Sequence, residues 1–213
     1  MNTRTLYEIT AIHICEGESW GLSMNTFIYF VRHGESPKTE GNERTRGLTD
    51  KGKSDALIIT NLLMDEGIDI FISSPYRRAI LTIEDAAKIT NKEVLVFEDL
   101  RELVFIAEDK IYPDTELRSL VTRMFSNQDF YLPGGESINY CLDRAITVFK
   151  SILTKYKDKK IVIGTHGLIM TLIMGYYNPH YNLEFLMKTT KPDIYRMEFK
   201  EEILLETKRI WKD

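Results

Sequence analysis

The chain has 213 residues, 43% of them hydrophobic and 28% charged. These are the proportions of an ordinary globular domain, and they exclude disordered, collagen-like and disulfide-framework classes. Twenty-eight Lys and Arg against 32 Asp and Glu give a net charge of −4, which supplies no overall pull toward nucleic acid or an anionic membrane. At about 150 residues per domain, one domain is the default, and a chain of this size buries about 70% of its unfolded surface without staples.

Two cysteines, Cys15 and Cys141, are too few for a zinc cluster and read as reduced thiols. No apolar run reaches the ~18 residues of a membrane span. The first 23 residues lack the basic start and apolar stretch of a signal peptide, so a cytoplasmic location is expected.

Residues 1–23 carry a weak pattern and read as an N-terminal extension of unknown role, before a domain over 24–213. FIYFV (27–31) is an unbroken apolar run, as expected of a strand buried on both faces. Thr49 can cap a helix running to about Glu66, with Ala56, Ile59, Leu62 and Leu63 on one face and Gly67 at its end. DIFI (69–72) predicts a second strand, residues 76–90 a second helix with Ala79, Ile83, Ala86 and Ala87 inward, and EVLVF (93–97) a third strand.

The stretch 103–134 looks irregular, with YPD and YLPGG turns, and reads as a small lid insertion. Residues 136–156 give the longest helix, 160–163 a fourth strand, 168–175 a short apolar helix, and 194–199 with 203–207 closing strands or a hairpin. Alternation of continuous apolar strands with helices predicts a three-layer α/β/α sandwich with a mostly parallel central sheet. Ligands of such folds sit beyond the carboxyl ends of the strands.

Three polar groups stand at those ends. Arg32-His33-Gly34 follows the first strand, Ser73-Ser74 the second, and Thr165-His166-Gly167 the fourth. Gly34 leaves room for a ligand beside the imidazole, and the guanidinium fork of Arg32 suits phosphate. His33 and His166 are 133 positions apart, yet both close a predicted strand. His13 and His180 have no such context and read as surface or packing residues. Arg77 and Arg78 open a helix, where free N–H groups attract phosphate. Glu102, two residues after Leu100, offers a carboxyl among arginines; taken alone it reads better as an exposed side chain.

Together VRHGES (31–36), LTDKG (48–52), SSPYRRA (73–79), LRE (100–102), PGGES (133–137) and GTHG (164–167) form an ordered set that resembles the histidine phosphatase superfamily, the phosphoglycerate mutase-like proteins. The resemblance implies metal-free phosphoryl transfer through a phosphohistidine, with no cofactor. By match to the family motifs His33 is the nucleophile, Arg32 and Arg78 bind phosphate, His166 holds phosphoryl oxygens, and Glu102 is the general acid. Arg77 falls on a variable position, and Thr165 lies beside the phosphate pocket. Thr39 stands where the family often has a phosphate-contacting Asn, so Thr39 and Thr165 are expected among the phosphate-binding residues, and LVFIAEDK follows LRE where Gly and Trp are common.

Only 31 positions separate Glu102 from Pro133, without an Arg- and Tyr-rich insertion. The reading is therefore a histidine acid phosphatase-like phosphomonoesterase. The alternatives are a phosphoglycerate mutase-type phosphoryl transferase or a silent binding protein with the same pocket. The expected partner is a small-molecule phosphate ester, with no nucleic acid and no membrane. The oligomeric state is open, a homodimer included.

Overall fold

The structure, a computed structural model, describes residues 25–106 and 114–212. The expected extension over 1–23, with Cys15 and His13, and Tyr112 of the lid lie outside the described residues.

The elements are β1 (Thr26–Arg32), α1 (Asp50–Met64), β2 (Ile70–Ser73), α2 (Arg77–Ile89), β3 (Val94–Val96), α3 (Asp114–Ser126), α4 (Ile138–Lys155), β4 (Lys160–Thr165), α5 (Gly167–Tyr177), α6 (Leu183–Lys188), β5 (Asp193–Lys200) and β6 (Ile203–Arg209). The six strands lie in the order β3-β2-β4-β1-β5-β6. The first four are parallel, and β5 and β6 close one edge as an antiparallel hairpin.

Strand alternation divides the interior into two cores. Ile28 and Phe30 of β1 and Ile161 and Ile163 of β4 join α4 and α5 on one face, around Phe149, Ile152 and Ile173. Tyr29, Val31 and Val162 point the other way, onto Ile59, Leu63, Ile83 and Ala87 of α1 and α2. Both faces are covered, which is why these strands read as continuous apolar runs. The three-layer expectation holds. Thr49 caps α1 by accepting from Gly52 N, and Ser137 caps α4 by accepting from Tyr140 N.

One correction concerns 103–134, which contains the 13-residue helix α3. Its Leu117, Leu120, Val121 and Met124 pack on the α4 side, at the i, i+3, i+4, i+7 spacing of an amphipathic helix. The short helix α6, capped by Asn182, was also not expected. Among the described residues no helix is long and apolar enough to cross a membrane.

Candidate active site

Register brings the two motif histidines together. β1 and β4 are parallel neighbours with Arg32 opposite Thr165, and His33 N donates to Thr165 O at 3.0 Å. The next residue on each strand is a histidine, so the rings meet edge to face with centroids 5.2 Å apart. β4 enters the sheet between β1 and β2, a break in strand order of the kind that opens a ligand crevice.

His33 is 5% exposed. Its Nδ1 lies 2.7 Å from Gly34 O; a carbonyl can only accept, so Nδ1 carries the proton and Nε2 keeps its lone pair. Arg78 Nε donates to that Nε2 at 3.1 Å. Burial first, then the positive charges of Arg78, Arg32 and Lys191, hold His33 well below the usual imidazole range, against a smaller opposing effect of the Gly34 carbonyl. The ring is therefore neutral near pH 7.

His166 is fully buried, and its Nε2 lies 2.7 Å from Ser74 Oγ. Ser74 Oγ accepts from Tyr76 N at 3.2 Å and keeps its own proton free to donate to His166 Nε2, the arrangement in which the imidazole proton sits on Nδ1. That Nδ1 is buried and without a hydrogen-bond partner. Burial, then Arg78 and His33, lower the His166 pKa well below its usual value.

Arg32 donates from NH1 to Thr189 O at 3.0 Å and to Thr189 Oγ1, while its Nε is buried and unpartnered. Its guanidinium passes so close to Gly167 that a Cβ there would lie 2.9 Å from Cζ; this is why a glycine follows His166. A Cβ on Gly52 would lie 2.2 Å from Glu35 O, so the glycine of LTDKG lets α1 close against the loop after His33. Arg78, 2% exposed, is pushed down to about 10 by burial, with Arg46 adding to the effect, and stays charged at neutral pH.

Glu102 follows a 3-10 turn at Glu98–Leu100. Its Oε1 accepts from Leu103 N (3.0 Å) and Ile169 N (3.0 Å), and its Oε2 from Leu168 N (3.1 Å). The carboxyl thus caps the start of α5, one turn beyond His166, and Oε2 keeps a lone pair open.

Arg32, His33, Arg78 and Glu102 line one cavity of about 600 Å3, while His166, fully buried, stands outside its lining. Thr165 is buried behind His33, outside the lining, and Arg77 is exposed. Thr39 is exposed and does not line the cavity, whereas its neighbour Lys38 does. Two further polar residues, Glu43 and Glu136, were not singled out in the sequence. Glu43 pairs with both Arg78 and Arg46 at 3.0 Å. Glu136 binds Arg101 at 2.5 Å and Arg144 at 2.8 Å beneath Glu102. Ser74 sits within SSPYRRA, so its motif was visible although its role was not.

A pair of buried neutral imidazoles thus lies beside buried Arg78, half-buried Arg32 and a carboxyl at one end of an α/β/α sheet. Residues 28–202 match the histidine phosphatase superfamily (branch 1), and the chain belongs to that family. It is 30% identical over 188 residues to phosphoglycerate mutase-like protein 4 of Arabidopsis thaliana, covering 80% of this chain and 79% of the relative. Its fold is shared with the phosphoserine phosphatase of Entamoeba histolytica solved with 3-phosphoglyceric acid, at TM-score 0.71 and 21% identity over 86% of this chain and 96% of that one. A mycobacterial glucosyl-3-phosphoglycerate phosphatase gives TM-score 0.70 at 14% identity, over 86% and 96%.

Proposed function

We propose that the protein hydrolyses phosphomonoesters through a phosphohistidine on His33, without a metal. The observation that carries this is the His33 ring: buried, neutral, with Nδ1–H tied to Gly34 O and Nε2 facing Arg78. A neutral imidazole attacks phosphorus from Nε2, and the Gly34 carbonyl steadies the positive charge that develops on the ring. Arg78 Nε then exchanges its bond to Nε2 for one to a phosphoryl oxygen. The unpartnered Arg32 Nε and His166 Nδ1 supply further donors for the equatorial oxygens, where a loose phosphoryl transition state carries its charge.

Glu102, protonated on Oε2, gives its proton to the leaving oxygen as the ester bond breaks. As carboxylate it then takes a proton from water, whose oxygen attacks phosphorus and returns His33 to the neutral state. Thr165 contributes backbone support to His33 rather than a phosphate contact.

His33→Ala is expected to lower kcat on p-nitrophenyl phosphate by several orders of magnitude, with the melting temperature retained and EDTA without effect on wild type. An acid-labile phosphoryl adduct after rapid quench should map to the peptide holding His33. Retention of more than about a tenth of kcat would overturn covalent catalysis at this residue. Arg78→Ala should weaken inhibition by vanadate far more than Arg77→Ala. The mutase-like name of the Arabidopsis relative favours a second reading, phosphoryl transfer between hydroxyls of phosphoglycerate. Efficient interconversion of 2- and 3-phosphoglycerate with little released phosphate would establish it instead.

A further inference from the structure

Resting on the phosphatase reading, we propose that the leaving group this site accepts is apolar: the substrate is a phosphomonoester of an alkyl or aryl alcohol, not of a sugar or a glycerate. The cavity volume of about 600 Å3 is that of a site enclosing a drug-sized ligand (about 300–1,000 Å3), far more space than phosphate needs. Beyond the phosphate cage its wall is made by Val104, Phe105, Ile106, Leu117, Leu186 and Met187. Each of these is half-buried rather than sealed in the core, so the folded chain leaves apolar surface facing the cavity. Covering such surface is favourable in proportion to its area.

Among the described residues, these six apolar side chains offer no hydrogen bonds to a polyhydroxylic group, although Arg118 and Lys191 also line the cavity. Among the described lining residues other than His33, Thr189 is the only neutral side chain with a hydrogen-bonding atom. Its Oγ1 already accepts from Arg32 NH1 and donates to Leu186 O at 2.8 Å. Part of the backbone of the wall is committed as well. Leu103 N donates to Glu102, Val104 N donates to Glu136 Oε2 at 3.0 Å, and Val104 O accepts from Glu136 N at 2.7 Å. The Phe105 carbonyl is covered by Gly135, where a Cβ would lie 2.4 Å from the oxygen.

Apart from exposed Arg118 on α3, the lining charges cluster on the phosphate side, Lys191 included, whose charge acts on His33. Arg46 and Glu43 engage one another and Arg78, and Lys38 lies on the loop that follows His33. Sugar hydroxyls placed against this wall would lose their water without gaining partners.

The test is a series of primary-alcohol esters, so that leaving-group basicity stays nearly constant: n-propyl, n-butyl and n-hexyl phosphate beside glucose 6-phosphate and 3-phosphoglycerate. We expect kcat/KM to rise about three- to fourfold per methylene, about 30- to 60-fold from propyl to hexyl, with both polar esters below the hexyl ester. Met187→Gln should flatten the series while inorganic phosphate still raises the melting temperature as in wild type. A flat wild-type series, polar esters cleaved faster than hexyl phosphate, or an unchanged slope in Met187→Gln would overturn the apolar assignment and leave the phosphatase reading standing. Failure to hydrolyse every ester, p-nitrophenyl phosphate included, would overturn both.

Discussion

Before any substrate arrives, every arm of the Arg78 guanidinium is already occupied. Nε reaches His33 at 3.1 Å, NH1 the Glu43 carbonyl, and NH2 the Glu43 carboxylate at 3.0 Å. A phosphoryl group must therefore compete with Glu43 for Arg78 and for Arg46. Burial works against ionisation of Glu43, but the charges of Arg78 and Arg46 outweigh it and hold the carboxyl below its usual range. Glu43→Gln removes the competing charge, and phosphate and vanadate should then inhibit about two- to fivefold more strongly, the worth of a partly exposed ion pair. Weaker inhibition would mean instead that Glu43 serves to orient Arg78. No sequence pattern announces this residue. In NERTRG the mixed charges are equivalent on paper, and the turn decides among them. Asn42 Oδ1 accepts from Arg44 N and Thr45 N, which sends Arg44 outward to exposed Glu98 and leaves Glu43 and Arg46 facing the cavity. The histidines and Arg32 were legible because each follows directly on a strand whose apolar run is unmistakable. Thr39 was placed by motif position alone, and the short loop after Ser36 does not bring it to the cavity.

Elements whose periodicity was strong, such as the Thr49-capped helix and FIYFV, were readable to within a residue or two. α3 was not read, although Leu117, Leu120, Val121 and Met124 carry a helical stripe; the turn signals on either side drew the reading toward loop. α6 has six residues and none fully buried, too few to display a period. What ties the 103–134 segment to the site is the PGGES turn. Glu136 accepts from Arg101 NH2, from Arg144 Nε at 3.0 Å and from Val104 N. Arg144 in turn donates to Asp99 O at 2.7 Å and Arg101 O at 3.0 Å, fixing the backbone that carries Glu102. Glu136→Ala strands two guanidinium groups that are themselves largely buried. It should cost about 3–5 kcal/mol in urea unfolding and lower kcat through displacement of Glu102. Glu136→Gln, which keeps an acceptor, should recover part of both. Full stability in Glu136→Ala would show that this network contributes no net stability.

Across the whole molecule, the two histidines couple catalysis to folding through protons. Both lie fully inside the protein, and burial together with neighbouring positive charge pushes both pKa values well below the usual range. In the unfolded chain each takes up a proton near pH ~6.5. Between their folded values and that pH the unfolded state binds more protons, so stability rises with pH and is fully present above about 6.5; it is lost as pH falls. For two groups the slope reaches about 2.7 kcal/mol per pH unit. The carboxylates with lowered values, Glu43, Glu98 and Glu136, act in the same direction but only below about pH 4.5. The interval from about pH 5 to 6.5 therefore isolates the imidazoles. Urea unfolding in phosphate-free buffer should show stability declining across that interval, because bound phosphate would add stability by mass action. His166→Asn should remove about half of the slope. A flat profile in wild type would mean that His33 and His166 accept protons in the folded state as readily as in the unfolded one. The Nε2 lone pair on which the proposed attack depends would then be absent over the acid half of the range.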